Sequence, residues 1–324
     1  MKYVDVFNGD ADGICALHQL RRANPVEKPA YRALVTGVKR DINLLARVVS
    51  DYKVEPGDKV TVVDISLDKN RQGLMQLLDA GAEIIYFDHH YAGDIPQHDA
   101  LQTYINTDAD VCSSLLVNTY LNNQYLGWAV TAAYGDNLYT AAELAAQPLQ
   151  CNTTQLEALK LLGTCINYNG YGATLDDLIF APDALYQLID PYTDPFDFIQ
   201  NEPAYEHLLS GYRDDMAMAE SLQAYYEDTG HALYVLPNEK WARRASGVYA
   251  NQLTQQFPHR AHAMLTEMPD GFVVSVRAPL NNKTGADELC RQFETGGGRK
   301  AAAGINFLPA SDYDRFLQAF IVAF

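Results

Sequence analysis

Basic charge is scarce in this chain. Lys and Arg total 24 against 41 Asp and Glu, a formal net charge of −17 at pH 7 over 324 residues. Long nucleic acid is bound chiefly by neutralising its phosphates with Lys and Arg, so this surface argues against a long polymeric partner. A nucleotide or short oligonucleotide held in a local, cation-charged pocket stays open. Cysteine is scarce as well. Cys15, Cys112, Cys151, Cys165 and Cys290 are odd in number, widely spaced and without a C-x-x-C pair, which argues against a disulfide framework and against a zinc ribbon. No apolar run reaches the length of a membrane span, and the start Met1-Lys2-Tyr3-Val4-Asp5 has no apolar leader segment. The expectation is a soluble, cytoplasmic protein with no membrane partner. Internal repeats and low-complexity tracts are lacking too.

Nearly half the residues, 48%, are hydrophobic, enough for a sizeable core, and the length suits two domains. Three apolar, strand-like runs end abruptly in chemistry-bearing residues. Lys2–Phe7 leads into Asn8-Gly9-Asp10-Ala11-Asp12-Gly13, Val60–Val63 into Asp64, and Ile84–Phe87 into Asp88-His89-His90. Helical spacing between them, over 14–22, 42–49 and 70–80, predicts βαβ units and a parallel sheet. Pro25 and Pro29 stop the first helix, Asp41 caps the second, and Gly81 closes the third. In such a sheet ligands bind beyond the carboxyl ends of the strands. After Pro96 the pattern is mainly helical. Ser113 and Ser114 read as helix-capping residues, and Asp136 follows a further apolar helix on a Gly-marked turn.

A single Asp at a strand end is ordinarily a helix cap or turn former. Three successive strand ends behaving this way are harder to obtain from capping alone. So many carboxylates cannot stay ionised together without a compensating cation, and hard divalent ions prefer carboxylate oxygens, with imidazole shifting the balance towards manganese, iron or zinc. The reading is a site for two divalent ions bridged by Asp64, an arrangement suited to activating water against a phosphate ester. The remaining histidines, His18, His98, His207, His231, His259 and His262, show no ligand spacing and read as solvated or satisfied structural residues.

Asp190-Pro191-Tyr192-Thr193-Asp194-Pro195 is the clearest linker-like stretch. It divides the chain into an N-terminal domain over 1–195, a linker and connecting helix over 196–228, and a smaller α/β domain over 229–324. The second domain alternates strands at 232–236, 261–265 and 271–277 with helices at 246–257 and 287–293. Gly296-Gly297-Gly298-Arg299 then reads as a loop between a helix and a last strand. Glycine amides form anion-binding nests and Arg299 can add a bidentate phosphate contact, so this stretch is a candidate phosphate cradle. Arg277 reads equally as a second phosphate contact or as a surface arginine.

Taken together, Gly-Asp-Ala-Asp-Gly at 9–13, Asp64, Asp88-His89-His90, Asp136 and the Gly-Gly-Gly-Arg-x-Ala-Ala-Ala-Gly run at 296–304 resemble the DHH phosphoesterase superfamily, in the branch with a DHH-associated C-terminal domain. The resemblance implies a parallel-sheet catalytic domain, a smaller substrate-binding α/β domain and an active site in the cleft. It also implies manganese-dependent hydrolysis of phosphodiester or phosphomonoester bonds in short oligonucleotides or small nucleotides. Two manganese ions are implied, with magnesium or another divalent ion as alternatives. Carried over, Asp10 and Asp64 hold one ion, with Asn8 beside them, and Asp12, Asp64, His89 and Asp136 hold the other. His90 meets the scissile phosphate or the leaving group, Asp88 orients an imidazole, and Arg299, Gly296–Gly298 and Arg277 grip substrate. Two positions depart from the usual pattern: Asn8 and Arg299 stand where many relatives carry His. An amide oxygen is a weaker ligand than imidazole, so the first ion is expected to be held weakly or selectively. An exopolyphosphatase or pyrophosphatase, and a catalytically impaired nucleotide-binding regulatory protein, are the alternative readings. A homodimer is also open.

Overall fold

The computed structural model describes residues 1–26 and 31–324; Pro29, expected to help end the first helix, lies outside them. The chain divides into two units, Met1–Ser210 and Gly211–Phe324. No helix among the described residues is long and apolar enough to cross a membrane.

In the first unit the strands are β1 (Lys2–Phe7), β2 (Tyr31–Val35), β3 (Lys59–Val63), β4 (Glu83–Asp88) and β5 (Leu101–Ile105), all parallel, in the order β2-β1-β3-β4-β5. Helices α1 (Ala11–Ala23), α2 (Leu44–Asp51) and α3 (Leu67–Asp79) alternate with them. Their Val- and Ile-rich runs are buried because crossover helices cover a parallel sheet; Val4, Val6, Val60, Val62, Ile84 and Tyr86 pack with Leu44, Leu45, Val48, Leu74 and Leu77 in one core. The strand order reverses direction between β1 and β3. A reversal leaves a crevice at the carboxyl ends of the two strands, and the residues there are Asn8 to Asp12 and Asp64.

Three expectations need correction. The chain after Pro96 is not yet helical, since Leu101–Ile105 adds the edge strand β5. Asp41 does not cap α2, whose N-cap is Asn43 with no side-chain bond; the Asp41 carboxylate instead meets Arg47 at 3.0 Å. The first helix begins at Ala11, with Asp10 as its N-cap, rather than near Ile14.

Helices α4 (Ser113–Tyr120), α5 (Leu126–Gly135), α6 (Tyr139–Ala146), α7 (Thr153–Asn169), α8 (Pro182–Ile189) and α9 (Pro195–Asn201) complete the unit, and α10 (Pro203–Glu220) contains its boundary with the next. Two glycines let α1, α5 and α7 meet backbone to backbone. A Cβ on Gly163 would stand 2.1 Å from the Thr131 carbonyl oxygen, and one on Gly135 2.5 Å from Ala11 Cβ. This close approach brings the start of α1, at Asp10, to the end of α5, at Asp136.

His18 lies fully buried on α1, edge-on to Trp128 with ring centroids 4.9 Å apart, and the Tyr192 backbone is its nearest polar contact. Its role is therefore structural. Burial, helped by the Arg22 charge, pushes its pKa down to about 3. A histidine whose folded pKa lies below its unfolded value near 6.5 destabilises the fold once the unfolded chain takes up the proton. Its neutral form supports the fold fully above that pH, and the support is lost as pH falls towards 3. His18→Leu is expected to flatten this acid limb, giving a higher urea midpoint than wild type at pH 5 and a smaller difference at pH 8. Parallel pH profiles of the two proteins would count against the assignment.

The second unit holds β6 (Tyr226–Glu227), β7 (His231–Leu236), α11 (Lys240–Gln256), β8 (Ala261–Met268), β9 (Gly271–Arg277), α12 (Ala286–Cys290), β10 (Gly296–Gly298), β11 (Ala302–Pro309) and α13 (Tyr313–Ala323). The sheet order is β10-β11-β9-β8-β7-β6. Only β7 and β8 pair in parallel, joined through α11; the other neighbours are antiparallel. Leu289, Phe316 and Phe320 from α12 and α13 share a core with Leu265, Val274 and Ile305 of the sheet.

Candidate metal centre

The loop after β1 and the start of α1 present two carboxylates in opposite senses. Asp10 Oδ1 accepts the N–H groups of Asp12 and Gly13, each at 3.1 Å, the ordinary work of an N-cap. Its Oδ2 takes the Lys39 ammonium. Burial alone would raise the Asp10 pKa, but the adjacent Lys39 charge and the N–H donors bring it down to about 2. Asp12 turns the other way. Its two oxygens accept the Ser113 and Ser114 N–H groups, each at 2.7 Å, and so cap α4 from across the site. The serine side chains, expected to be caps, are used elsewhere: Ser113 Oγ donates to Asp64 Oδ1 at 3.0 Å, and Gln19 Nε2 donates to Ser114 Oγ at 2.6 Å.

Asp64 follows β3 with φ at 60°. A non-glycine residue in this left-handed region is strained, and such strain tends to collect at functional sites. The backbone holds it there through the Asp64 N–H donating to Phe87 O at 2.9 Å. Its carboxyl is fully buried, and burial together with Asp12, Asp10 and Asp136 pushes its pKa well above the usual carboxylate range. Burial likewise raises Asp12, with the Asp136 and Asp10 charges adding and His89 opposing.

The two imidazoles after β4 are oriented by different partners. His89 Nδ1 lies 2.8 Å from the Val111 carbonyl oxygen. A carbonyl can only accept, so Nδ1 carries a proton, and it is Nε2 that a neutral ring would offer to a cation as a lone pair. That Nε2 faces Asp64 Oδ1 at 3.4 Å, Asp136 Oδ2 at 3.8 Å and Asp12 Oδ2 at 3.9 Å. His90 Nδ1 lies 2.7 Å from Asp88 Oδ1. Asp88 is thus the orienting carboxylate of His90, and Val111 does the same for His89. Ligand atoms of Asp64, His89 and His90 all lie within 4.8 Å of one another.

The donor set fits a divalent cation. Among the described residues, Asp136 Oδ2 and Asn8 Oδ1 are buried acceptors with no hydrogen-bond partner, which is costly for polar oxygens unless something positive meets them. A lone-pair nitrogen and carboxylate oxygens facing one point suit manganese, iron or zinc better than calcium.

Sequence reasoning missed Lys39, Ser113, Val111 and Asn167. Lys39 Nζ bonds Asp10 and Asn167 Oδ1 (2.8 Å) and stands 3.7 Å from Asp136 Oδ1. No linear motif marks it; it arrives because β2 pairs with β1, which brings the loop after β2 beside Asp10.

In the second unit the glycine run is not a loop. Gly296–Gly298 forms the edge strand β10, paired Gly296↔Ile305, Gly297↔Gly304 and Gly298↔Ala303, and Arg299 to Ala302 make the hairpin turn. Two of the glycines answer to packing. A Cβ on Gly296 would fall 1.7 Å from the Cys290 carbonyl oxygen, and Gly298 has φ +142°, while Gly297 faces open space. The Gly296 and Arg299 N–H groups donate to Phe293 O and Ala302 O, both at 2.9 Å, so neither is available to a nest. Arg277 pairs in register with Ala302, at the end of the sheet that carries the Arg299 turn. Its Nε donates to Asn251 Oδ1 at 2.7 Å.

Residues 4–142 match the model of the DHH family, N-terminal domain. Over those residues the chain carries a domain that matches the DHH family. Among solved structures it resembles a DHH-domain protein described as a member of a family of ribosomal proteins (TM-score 0.65, 13% identity, 99% of this chain and 86% of that one). It also resembles the exonuclease RecJ bound to manganese (TM-score 0.64, 17% identity, 99% and 90%). A third neighbour is the pGpG-specific phosphodiesterase PggH of Vibrio cholerae (TM-score 0.51, 15% identity, 99% and 98%). At these identities the likeness is one of fold. Comparison with curated proteins finds no match.

Proposed function

We propose that the protein is a divalent-metal-dependent phosphoesterase acting on phosphodiester or phosphomonoester bonds of short oligonucleotides or small nucleotides. The observation that carries this reading is His89: its Nδ1 is held by Val111, and its Nε2 faces Asp64, Asp136 and Asp12 at 3.4–3.9 Å. Asp64, His89, Asp136 and Asp12 would hold the ion, which when bound neutralises phosphate charge and activates water. His90, kept in one orientation by Asp88, would hold or deliver a proton at the phosphate or the leaving group. RecJ, a fold neighbour, is described with manganese and with magnesium, and manganese is the ion we expect here. The acidic surface favours a small substrate. The reaction compartment is taken to be the cytoplasm.

The test is turnover of a panel with manganese titrated in: pApA, pGpG, 3′-phosphoadenosine 5′-phosphate, a cyclic dinucleotide, a 24-mer and tripolyphosphate. Release of mononucleotide from the dinucleotides with the 24-mer intact supports the reading. Turnover of tripolyphosphate alone would replace it with an exopolyphosphatase, and nucleotide binding without turnover under any divalent ion would replace it with a regulatory binder.

Arg299, on its hairpin turn, and Arg277 are proposed as phosphate contacts, together with whatever open face Gly297 offers. Arg299→Ala is expected to raise KM, by about 10-fold for the loss of one charged hydrogen-bonding group, with kcat nearly unchanged. A collapsed kcat at unaltered KM would remove Arg299 from the role of a binding residue.

A further inference from the structure

We propose that this site takes a single divalent ion and that the Lys39 ammonium stands where a second ion would otherwise sit. The inference rests on the metal-dependent reading above and narrows it. The carboxylates divide into two groups by whether a fixed positive charge is already bonded to them, since Asp12 and Asp64 accept only neutral donors and Asp10 accepts the Lys39 ammonium. On one side His89 Nε2, Asp136 Oδ2 and Asp64 Oδ1 converge, with Asp136 Oδ2 buried and unpartnered. That is a ligand set waiting for a cation. On the other side Asp10 is nearly saturated. Its Oδ1 accepts two backbone N–H groups and its Oδ2 accepts Lys39 Nζ.

Lys39 is built into this place rather than draped over it. Its N–H donates to Gly170 O at 2.8 Å, its carbonyl accepts Asn8 Nδ2 at 3.4 Å, and its ammonium also binds Asn167 Oδ1 at 2.8 Å. The ring of Tyr171 lies beneath the ammonium, 5.5 Å away. A divalent ion bonded to Asp10 Oδ2 at about 2.1 Å would share that oxygen with a positive ammonium and meet strong repulsion. The remaining neighbour, Asn8, offers one neutral amide oxygen, buried and unpartnered, while its Nδ2 is turned to the Lys39 carbonyl; a single amide oxygen does not offset the repulsion of an ammonium on the adjacent Asp10 oxygen. Asn8 and Lys39 therefore read as one device: the amide secures the loop that delivers the ammonium. The ammonium would supply charge and its one remaining N–H to a phosphate oxygen, but unlike a metal ion it does not bring a bound water to the reaction.

The test uses the full chain, stripped with chelator, loaded with manganese(II), desalted, and read by elemental analysis and electron paramagnetic resonance. Wild type is expected to retain one manganese with the six-line signal of an isolated ion. The double variant Asn8→His, Lys39→Ala is expected to retain two, with the broadened spectrum of a spin-coupled pair. Two ions in wild type overturn the proposal and leave the metal-dependent reading standing. No retained ion in wild type overturns both. One ion in wild type and one in the double variant, shown folded by circular dichroism, would also overturn it, because Lys39 would then not be what excludes the second.

Discussion

Asp64→Asn is expected to reduce hydrolysis by about a thousandfold or more and, in the metal-free protein, to raise the melting temperature at neutral pH. Both effects follow from one position. Asp64 lies at the end of the central strand, with Oδ1 3.4 Å from His89 Nε2, so an amide there removes a charge from the proposed ion site. Its backbone has φ 60°, a conformation that Asn tolerates as well as Asp does, so the change adds no strain. The sign of the stability effect comes from the raised pKa. An acid whose folded pKa exceeds its unfolded value binds its proton more tightly in the fold. The fold therefore loses stability as pH rises from about 4, the unfolded value, through the folded pKa. Asn carries no such cost, so its advantage should appear at pH 7.5 and vanish near pH 4. Manganese should stabilise wild type and leave the variant nearly unmoved. Equal melting temperatures at both pH values, with activity retained, would sink the assignment.

The second large effect is expected at His90. His90→Gln should lower kcat by about 10²–10⁴-fold, the usual contribution of a positioned acid or base, with little change in KM and with one limb of the pH–rate profile lost. Asp88 acts through it. Asp88→Asn keeps the shape but replaces a carboxylate acceptor with an amide, and a reduction of about 10–100-fold is expected, as for other partners that orient an imidazole. A fall at Asp88 that persists in the His90→Gln background would mean that Asp88 acts through something else. His90 forms no part of any helix or strand and is partly exposed, 36% by side chain, so the fold should survive its replacement.

How much of this is legible in the sequence depends on whether a feature is local. The apolar runs before Asn8, Asp64 and Asp88 mark their strands because period, composition and abrupt ending all agree. The edge strand Leu101–Ile105 is not marked, because it lies half-exposed with a mixed polar sequence and follows a stretch that reads as loop. The glycine run misleads for a related reason. Glycine's conformational freedom suggests a loop, while here two of the three residues are required by a close-packed edge strand. Lys39 cannot be found at all without the pairing of β2 with β1, since nothing near it in the chain points to a cation site. For the aspartates, the ordinary and the functional readings compete in the sequence, and the ordinary one holds alongside the other: Asp10 caps α1, and Asp12 caps α4.

That double duty changes how sequences of this kind should be sorted into working and silent enzymes. A descendant that lost its activity would still have reason to keep Asp10 and Asp12, since two helices begin on them. An intact Asp-x-Asp is therefore poor testimony to turnover. Asp136, whose Oδ2 meets no donor among the described residues, and His89, whose Nε2 faces three carboxylates, have no comparable architectural duty for those atoms. They should be the first to drift once hydrolysis ceases to matter, and they are the positions to inspect when a chain of this shape is suspected of having retired from chemistry.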